Sequence, residues 1–572
     1  MSSSQTNRVI SIDRGLTRAF HLRVFSDKIV RGLELHPLGT MVGIGLTALV
    51  MAAAVASIRL LWFDELVTFY IAKTGSLSAI WHALELGADP NPPLTALLVL
   101  WSTKLFGNSE LAVRLPSVIA GVAVVLLLFY FLQRRLPVIA SAIGVLFFMS
   151  TRAFDYSYEG RSYATTACFC MLALVLWRAA IEGPRRTAAS VALSLSLMAG
   201  ISSNYFAVLA IFPIAAGEIV RTIQHRRIEL RIWIALFFGG LPIFFYMPLV
   251  NRAVARFAPY AWNKPSWDLV SETYRLLLGD SLNVVLLLLF AAISVYLYKR
   301  YDQRTDTPRT FPAHEFAAIL TLIAYPVLGY IIAIIRAGMI SPRFFLPMCF
   351  GISMVVALSV HKLFSRSSVI TLALLLITAS WMLARNAISI AGLLEQREAL
   401  FSLRESMPPR GKLLMPDSLL ALPMYHYSQL SVASRIVFPF DLAAIRKFKG
   451  EDSAEQNLWA GKSILPMAVV PFDELNCSSP NCFIIAPGGN WLLRKLGDDR
   501  TPAPQLAAYA GSGHLLERGF LFGMTFGGEV NLFAPPRRTG PCDPVCDRDQ
   551  PDDLSSGSFK MSGPHTGISG EE

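Results

Sequence analysis

Charged side chains are scarce in this chain of 572 residues. Asp, Glu, Lys and Arg make up 16% of it, whereas hydrophobic residues make up 53% and the mean hydropathy is +0.48. A soluble globular protein carries roughly 25% charged residues. A set of soluble domains is therefore excluded, because much of this surface must face something other than water. Zinc-ligand spacings, glycine-rich phosphate loops and RNA-binding motifs are also missing, so nothing in the sequence indicates a nucleic-acid partner.

Cysteine is rare as well, with seven residues in the chain. A close-set, even-numbered group favours disulfides in an oxidising compartment, with free thiols on loops as the alternative. Such a group lies in the C-terminal part: Cys477, Cys482, Cys542 and Cys546. The other three fall in apolar runs and are interpreted as packing residues: Cys168, Cys170 and Cys349.

Long apolar runs recur through the first two thirds of the chain. A helix needs about 20 mostly apolar residues to cross a bilayer. We predict eleven spans, at 38–61, 112–132, 138–153, 163–181, 187–203, 205–220, 232–250, 282–298, 316–335, 344–360 and 369–391. A basic stretch of 37 residues precedes the first span and no small-residue cleavage site follows it, which favours a retained anchor over a signal peptide.

The side of the membrane depends on how residues 92–106 are interpreted. They are apolar but short and contain Lys104, so they could form either a span or a helix lying at the surface. The surface interpretation leaves 20 Lys and Arg in 82 residues of the inner segments and 9 in 99 residues of the outer ones. This asymmetry predicts a multi-pass protein of the inner (plasma) membrane with a cytoplasmic N-terminus. Residues after the last span are then periplasmic or extracellular.

The expected fold is an all-α polytopic membrane protein, with about 11 transmembrane helices and a juxtamembrane helix in the first outer loop. A smaller mixed α/β extracytoplasmic domain follows, in which short runs at Ala468–Val470 and Cys482–Ala486 look like strands. The predicted segments are a cytoplasmic basic one at 1–37, a transmembrane domain at 38–392, the C-terminal domain at 393–536 and a tail at 537–572. The tail is rich in Pro, Gly, Ser and Asp and is expected to be disordered.

Charged residues collect at span ends on the predicted outer face. Ionisable groups at the bilayer edge are costly unless they pair or line a wet cavity. Taken singly, the acids fit the first turn of a surface helix and the arginines fit interfacial anchors. Taken together, they indicate a site with acids from two loops and bases from two others. They are Asp64, Glu65, Asp155, Glu159, Arg161, Arg252, Arg256, Lys264, Arg336 and Arg343.

The order of these features resembles that of a known superfamily. An Asp-Glu pair ends the first span, Asn91-Pro92-Pro93-Leu94 opens a short helix, and Glu159-Gly160-Arg161-Ser162-Tyr163 leads into a later span. Between them stand Leu105-Phe106-Gly107-Asn108-Ser109-Glu110 and Arg114-Leu115-Pro116-Ser117. This pattern resembles the GT-C membrane glycosyltransferases, which include protein O-mannosyltransferases and lipid A aminoarabinose transferases. It is most similar to the dolichyl-phosphate-mannose-type branch, over roughly residues 38–350.

The resemblance implies an inverting sugar transfer. The donor would be a polyprenyl-phosphate sugar within the membrane lipid, and the acceptor an envelope glycolipid, polysaccharide or protein on the outer face. Asp64 would be the general base, Glu65 would orient the acceptor, and Asp155 and Glu159 would form a second acidic wall. The donor phosphate would bind basic residues, foremost Arg343, with Arg161, Arg336, Arg252, Arg256, Lys73 and Lys264 as further candidates.

Two questions stay open at this point. Many relatives carry His or Lys directly before the Pro-Pro pair, whereas this chain has Asn91, so either another basic residue such as Lys73 or Lys264 supplies the missing charge or the donor is handled differently. Carboxylates flank the site and could bind Mg²⁺ or Mn²⁺, but no ligand spacing selects a metal.

A polytopic transporter or lipid flippase is the main alternative function, and an inactive membrane scaffold is a third. A transporter typically shows internal repeats and charges near mid-membrane, which this sequence lacks.

Overall fold

The computed structural model describes residues 21–279, 311–405, 407–475, 482–487 and 490–497, together with the backbone of four strands between 510 and 534. Several sequence-based predictions lie outside the described residues. They concern the span at 282–298, Cys477, Cys542, Cys546 and the tail at 537–572.

Helices form most of the first 405 residues. Helix α1 covers residues 21–35. The others before residue 280 are α2 (Pro37–Ile58), α3 (Phe63–Ala72), α4 (Leu77–Leu86), α5 (Leu94–Phe106), α6 (Glu110–Gln133), α7 (Val138–Ser150), α8 (Ser162–Glu182), α9 (Arg186–Ser203), α10 (Ile211–His225), α11 (Leu230–Gly240), α12 (Pro242–Phe245), α13 (Met247–Phe257) and α14 (Trp267–Leu278). After it follow α15 (Ala313–Ile323), α16 (Tyr325–Ile332), α17 (Pro347–Phe364) and α18 (Ser368–Glu405).

Six of the described helices are long and apolar enough to cross a membrane, or eight if each of two bent pairs is one span. The bends are 54° between Leu230–Phe245 and Met247–Tyr260 and 57° between Ala313–Ile323 and Tyr325–Arg336. These eight segments coincide with eight of the eleven predicted spans. Helix α7 is apolar but has only 13 residues. Helix α9 has 18 residues but is not apolar enough to count among the helices that could cross a membrane. The count of eleven therefore stays a prediction.

The first loop after α2 is more structured than the single predicted helix at 92–106. Three helices, α3, α4 and α5, fill residues 63–106. Helix α3 starts directly after Trp62, so Asp64 and Glu65 lie in its first turn, where acids are favoured by the helix dipole. Gly87 ends α4 in the left-handed region at φ 87°, which lets the chain turn towards α5.

The C-terminal part forms a mixed sheet with helices against it. The strand order is β3-β2-β1-β4-β8-β5, in which five strands run in one direction and β8 runs antiparallel to both of its neighbours; β6 pairs with β7 separately. The strands are β1 (Lys412–Leu414), β2 (Ile436–Phe440), β3 (Ala468–Pro471), β4 (Cys482–Pro487), β5 (Ala510–His514), β6 (Gly519–Leu521), β7 (Met524–Phe526) and β8 (Val530–Ala534). The helices are α19 (Ser418–Tyr427), α20 (Leu430–Ala433), α21 (Leu442–Phe448), α22 (Ser453–Ala460) and α23 (Trp491–Gly497). Strands β3 and β4 match the two predicted strand runs.

The C-terminal domain shares a hydrophobic core with the first-loop helices. Leu66 and Phe69 of α3 belong to the same buried cluster as Met424 of α19 and Phe438 of β2. Polar contacts reinforce the junction: the Leu61 N–H donates to the Tyr427 hydroxyl at 2.7 Å, and Tyr70 and His426 share a hydrogen bond of 2.8 Å. Helix α18 runs through residue 393, the predicted domain boundary, so the change in composition there occurs within a helix. This junction places the C-terminal domain over the loop that carries Asp64.

Candidate active site

A polar cavity of about 230 Å³ opens where α3, the loops before α5 and α8, α13 and the C-terminal domain meet. Most of its charged and polar lining side chains come from sequence-distant segments, so only the fold brings them together. The lining includes Asp64, Asn91, Arg161, Tyr163, Asn204, Tyr205, Trp262, Asn263, Ser341, Arg343, Glu451, Ser453 and Asn457.

Asp64 is the acid of the first loop that faces this cavity. Its side chain is 24% exposed, and its Oδ2 lies 3.4 Å from Nη1 of Arg343. Its backbone carbonyl accepts hydrogen bonds from Arg161 and from the Thr68 hydroxyl, each at 3.1 Å. The backbone is thus held on both sides while the carboxylate remains partly accessible.

Arg343 is the basic residue that reaches Asp64. It lies in the short helical turn Pro342–Phe345, which leads into α17. Its guanidinium lies over the rings of Trp62 and Tyr163, with 4.9 and 5.9 Å to their centroids. Such stacking favours arginine, whose planar charge is attracted to an aromatic face and still offers donors at its edge. A cation and a carboxylate therefore face one cavity, as a phosphate leaving group and a general base would require.

Glu65, by contrast, points away from the cavity. Its side chain is fully buried, and its two oxygens accept from Arg114 at 2.7 and 2.5 Å. The N–H of Gly160 donates to Oε1 at 2.6 Å and that of Trp62 to Oε2 at 3.2 Å. Burial alone would raise the pKa of Glu65, but Arg114 outweighs it and holds that pKa below its ordinary value. The structure gives Glu65 four protein donors instead of the place beside the acceptor that the sequence suggested.

Arg161 lines the cavity but is paired with an acid that sequence reasoning missed. Its Nη1 contacts Oδ2 of Asp89 at 2.5 Å, and both side chains are buried. Asp89 also accepts from the backbone and side-chain N–H groups of Asn91, at 2.9 and 2.6 Å. The only signal for Asp89 in the sequence is its position two residues before Asn91-Pro92-Pro93. This pairing fixes Arg161 in support of the loop and leaves less of its charge for a ligand.

Asp155 and Glu159, which the sequence predicted to form a second acidic wall, lie in two different environments. Asp155 pairs with Arg385 of α18, whose Nη1 also donates to the Thr151 carbonyl at 3.1 Å, and Asp155 is not among the cavity-lining residues. Glu159 is buried, and its nearest cation is Arg59, at 3.9 Å. Burial raises the pKa of Glu159, although Arg59 and Arg343 partly offset that effect. These two residues therefore do not form one wall.

The remaining basic candidates lie away from Asp64. Arg252 and Arg256 line a neighbouring cavity of about 400 Å³, where Arg252 lies 3.4 Å from Glu85. Arg336 donates to the Asn251 side chain at 2.5 Å. The exposed Lys73 lies over the Phe69 ring. Lys264 is likewise exposed and is not among the lining residues of the cavity.

The C-terminal domain supplies one wall of the cavity, which sequence reasoning did not resolve to residues. Glu451 and three residues of α22 line it: Ser453, Ala454 and Asn457. Helix α22 is tied to the membrane domain because the side-chain amide of Gln456 donates to the Arg256 carbonyl at 3.1 Å.

The chain is similar to one protein family over part of its length and to several solved structures. The family model of dolichyl-phosphate-mannose-protein mannosyltransferases matches residues 90–251. The structure is similar to the crystal structure of ArnT from Cupriavidus metallidurans bound to undecaprenyl phosphate, with a TM-score of 0.53 and 13% sequence identity. The match covers 87% of this chain and 99% of that one, and the crystal structure of ArnT in the apo state gives the same values. An oligosaccharyltransferase from Archaeoglobus fulgidus, solved with Zn and sulfate, gives a TM-score of 0.42 and 12% identity, over 86% of this chain and 75% of that one. No curated protein matches the sequence.

Over residues 90–251 the chain is similar to this mannosyltransferase family, and its fold is similar to that of ArnT.

The family match covers only part of the cavity. Asn91, Arg161 and Asn204 lie within residues 90–251, whereas Asp64 and Arg343 lie outside. The grouping of Asp64 with Arg343 therefore rests on the geometry described above.

The acids that line the cavity are Asp64 and Glu451. Carboxylate oxygens are the ligands that Mg²⁺ and Mn²⁺ prefer. Among the described residues, no group of three or more His, Cys, Asp or Glu side chains is placed to hold a metal ion. A divalent ion here would accordingly have two protein carboxylates at most and would take its other ligands from substrate and water.

Proposed function

We propose that the protein transfers a sugar, with inversion, from a polyprenyl-phosphate-linked donor to an acceptor on the outer face of the inner membrane. The observation that carries this proposal is the pairing of Asp64 with Arg343 across one polar cavity. A direct displacement needs a base on the acceptor hydroxyl and a stabilised phosphate leaving group, and these two side chains supply one of each.

Asp64 acts as the general base. As the acceptor oxygen attacks the anomeric carbon, its proton passes to the Asp64 carboxylate and the carbon–oxygen bond to the phosphate breaks. The phosphate leaves with the electron pair of that bond, and the attack from the opposite side inverts the anomeric configuration. The two backbone contacts of Asp64 hold the carboxylate at a fixed position for this step.

Arg343 binds the donor phosphate. Its side chain is 28% exposed and stays charged at any working pH, and its fork can hold two phosphate oxygens. Arg161 is paired with Asp89 and is better suited to positioning the loop around Asn91. The undecaprenyl phosphate bound to ArnT from C. metallidurans supports a polyprenyl carrier for a chain of similar fold.

The remaining lining suits a sugar. Four asparagines and a set of aromatic rings line the cavity: Asn91, Asn204, Asn263 and Asn457, with Tyr163, Tyr205, Phe206, Trp262 and Phe344. Amides offer both donors and acceptors to hydroxyl groups, and aromatic faces cover the apolar faces of a sugar ring. The acceptor is an envelope glycolipid, polysaccharide or protein.

The outer-face assignment rests on the basic asymmetry of the loops. Single cysteines in the 62–91 loop and in 407–475 should react with an impermeant thiol reagent in intact cells, and those in 221–231 only after permeabilisation. Labelling of 221–231 in intact cells would place the cavity on the cytoplasmic side and contradict the assignment.

Two substitutions test the roles on the same purified protein. Asp64→Asn should lower turnover by about 10²- to 10⁴-fold, the usual cost of losing a general base, while donor affinity is retained. Arg343→Ala should weaken donor binding by about 10- to 150-fold, because a hydrogen bond to a charged group is worth roughly 1.5–3 kcal/mol.

Matched controls exist on helix α14, which belongs to a different segment from Asp64 and Arg343. Asp268 occupies the first turn of α14 as Asp64 does in α3, and Arg275 is an exposed arginine in the last turn of α14. Asp268→Asn and Arg275→Ala should leave turnover and donor affinity unchanged. Turnover near the wild-type level in Asp64→Asn at saturating donor and acceptor would refute the base assignment.

A further inference from the structure

Three residues that line the cavity carry buried polar atoms without a hydrogen-bond partner in the described part of the chain. They are the Oγ of Ser341, the Oδ1 of Asn457 and the Nε of Arg161. Buried polar atoms are nearly always bonded, and an unsatisfied one costs free energy, so each such atom in a native structure calls for a partner. Their location around one cavity indicates that a polar ligand supplies these partners.

Of the two neutral residues, Ser341 and Asn457, Ser341 is the more enclosed. Its side chain is 5% exposed, and it stands two residues before Arg343, directly ahead of the turn Pro342–Phe345. A ligand held by Arg343 therefore lies within reach of the segment that carries Ser341. A serine hydroxyl can donate one hydrogen bond and accept others, which matches a sugar hydroxyl.

Asn457 belongs to the C-terminal domain, and its helix is held firmly in place. At the start of α22, Asp452 contacts Nε of Arg446 at 2.7 Å, and the neighbouring Gln456 is bonded to the Arg256 carbonyl of α13. Residues of that same α13, among them Ala253 and Phe257, line the cavity. A side chain on a helix anchored from both domains can discriminate between positions of a ligand hydroxyl.

We propose that Ser341 and Asn457 are specificity-determining residues, which hydrogen-bond sugar hydroxyl groups inside the cavity. This inference rests on the proposed glycosyl transfer and extends it to the C-terminal domain. Both side chains are neutral, so they read the position of a hydroxyl group and leave the charge of the phosphate to Arg343. A site built to bond a hydroxyl rejects the ligand that lacks it, because its buried polar atoms are then left unpaired. The hydroxyl can belong to the donor sugar or to the acceptor.

The first experiment establishes the reaction. A strain lacking the gene is complemented with the wild-type chain or with Asp64→Asn, and envelope glycolipids and glycoproteins are compared by mass spectrometry. A sugar present with the wild type and missing with Asp64→Asn identifies the transferred sugar. An envelope that is identical in the strain lacking the gene and in the strain with the wild-type chain would refute the proposed function, and with it this inference.

The second experiment uses the purified full-length protein with two probes, the undecaprenyl-phosphate-linked form of that sugar and of its C4 epimer. Asn457→Leu and Ser341→Ala should each lower kcat/KM for the natural sugar by about 2- to 12-fold, the cost of one neutral hydrogen bond. Both variants should also lower the ratio of kcat/KM for the natural sugar to kcat/KM for its C4 epimer. Ser341→Thr keeps the hydroxyl group and should keep that ratio at the wild-type value. The exposed amide Gln429 provides the control Gln429→Ala, with no change expected.

The outcomes separate the two sources of the hydroxyl. A reduced epimer preference with unchanged acceptor KM assigns the contact to the donor sugar. A raised acceptor KM with unchanged epimer preference assigns it to the acceptor. An active enzyme in which Asn457→Leu and Ser341→Ala leave kcat/KM, epimer preference and acceptor KM at the wild-type values would overturn the inference while the proposed function stands.

Discussion

Removing one partner of the ion pair between Glu65 and Arg114 should destabilise the fold strongly, and the size of that loss tests whether Glu65 is structural. Both side chains are fully buried. Besides the carboxylate, Arg114 donates to the carbonyls of Ala56 at 2.9 Å and Leu60 at 2.8 Å, and also to that of Arg59. It therefore joins the end of α2 to the start of α3 and α6.

Removing one partner should cost much more than the pair is worth as a whole. Glu65→Gln leaves the Arg114 charge buried without a counter-ion, and Arg114→Met leaves the Glu65 carboxylate in the same situation. Such single losses typically cost about 3–5 kcal/mol, whereas replacing both charges by apolar groups is often close to neutral. We therefore expect each single variant to be destabilised by about 3–5 kcal/mol and the double variant Glu65→Leu/Arg114→Met by clearly less than either.

Denaturant titration of the purified proteins in detergent micelles measures these differences. The partly exposed pair of Glu229 and Arg231 gives a control, since Glu229→Gln should cost less than about 1 kcal/mol. The pH dependence has a definite sign. The pKa of Glu65 is lowered in the folded protein, so its stabilising effect is present above the ordinary value of 4.5 and is lost as the pH falls through the lowered pKa. Glu65→Gln with wild-type stability but lost turnover would refute the structural role and return Glu65 to the acceptor site.

Two further predictions concern segments that hold the cavity together. In Gly329→Ala, the new Cβ would lie 2.1 Å from the Phe345 ring and should displace the turn that carries Arg343, which weakens donor binding. In the control Gly392→Ala, the new Cβ meets no atom within 4 Å, so donor binding should be unchanged. Unchanged donor affinity in Gly329→Ala would contradict the role of this packing contact. Burial raises the pKa of Glu159, so the wild type should lose stability relative to Glu159→Gln as the pH rises above 4.5, the ordinary pKa of a glutamate. Thermal unfolding of both proteins over a pH series measures this difference. Equal stability of the two proteins at all pH values would contradict the burial argument.

Much of the membrane domain could be predicted because a spanning helix is a local property of the sequence. The run 38–61 corresponds to α2 at Pro37–Ile58, and 112–132 corresponds to α6 at Glu110–Gln133. The first loop could not be predicted as well, since α3 and α4 are short helices whose burial depends on the C-terminal domain above them. Their short length gives no periodic signal strong enough to distinguish them from loop.

The candidate site was predictable in part for the same kind of reason. Asp64 and Glu65 are neighbours of the same chemical type, and successive residues of a helix point about 100° apart, so only the rotation of α3 decides which one faces the cavity. Asp89 and Arg161 are 72 residues apart in the chain, and no local pattern joins them. Asn457 depends on how a whole sheet domain docks onto α13, which the sequence of α22 does not contain.

The contact between Asp64 and Arg343 differs from the buried pairs in a way that suits substrate binding. It measures 3.4 Å with both side chains partly exposed, against 2.5 Å for the enclosed pair of Glu65 and Arg114. A donor phosphate can therefore compete with Asp64 for Arg343, and its arrival leaves the carboxylate free to take the acceptor proton. Coupling between two sites is reciprocal, so removing the Asp64 charge should leave donor affinity equal to or tighter than that of the wild type. Weaker donor binding by Asp64→Asn, measured with undecaprenyl phosphate, would show that Asp64 holds Arg343 in place for the phosphate instead of competing with it.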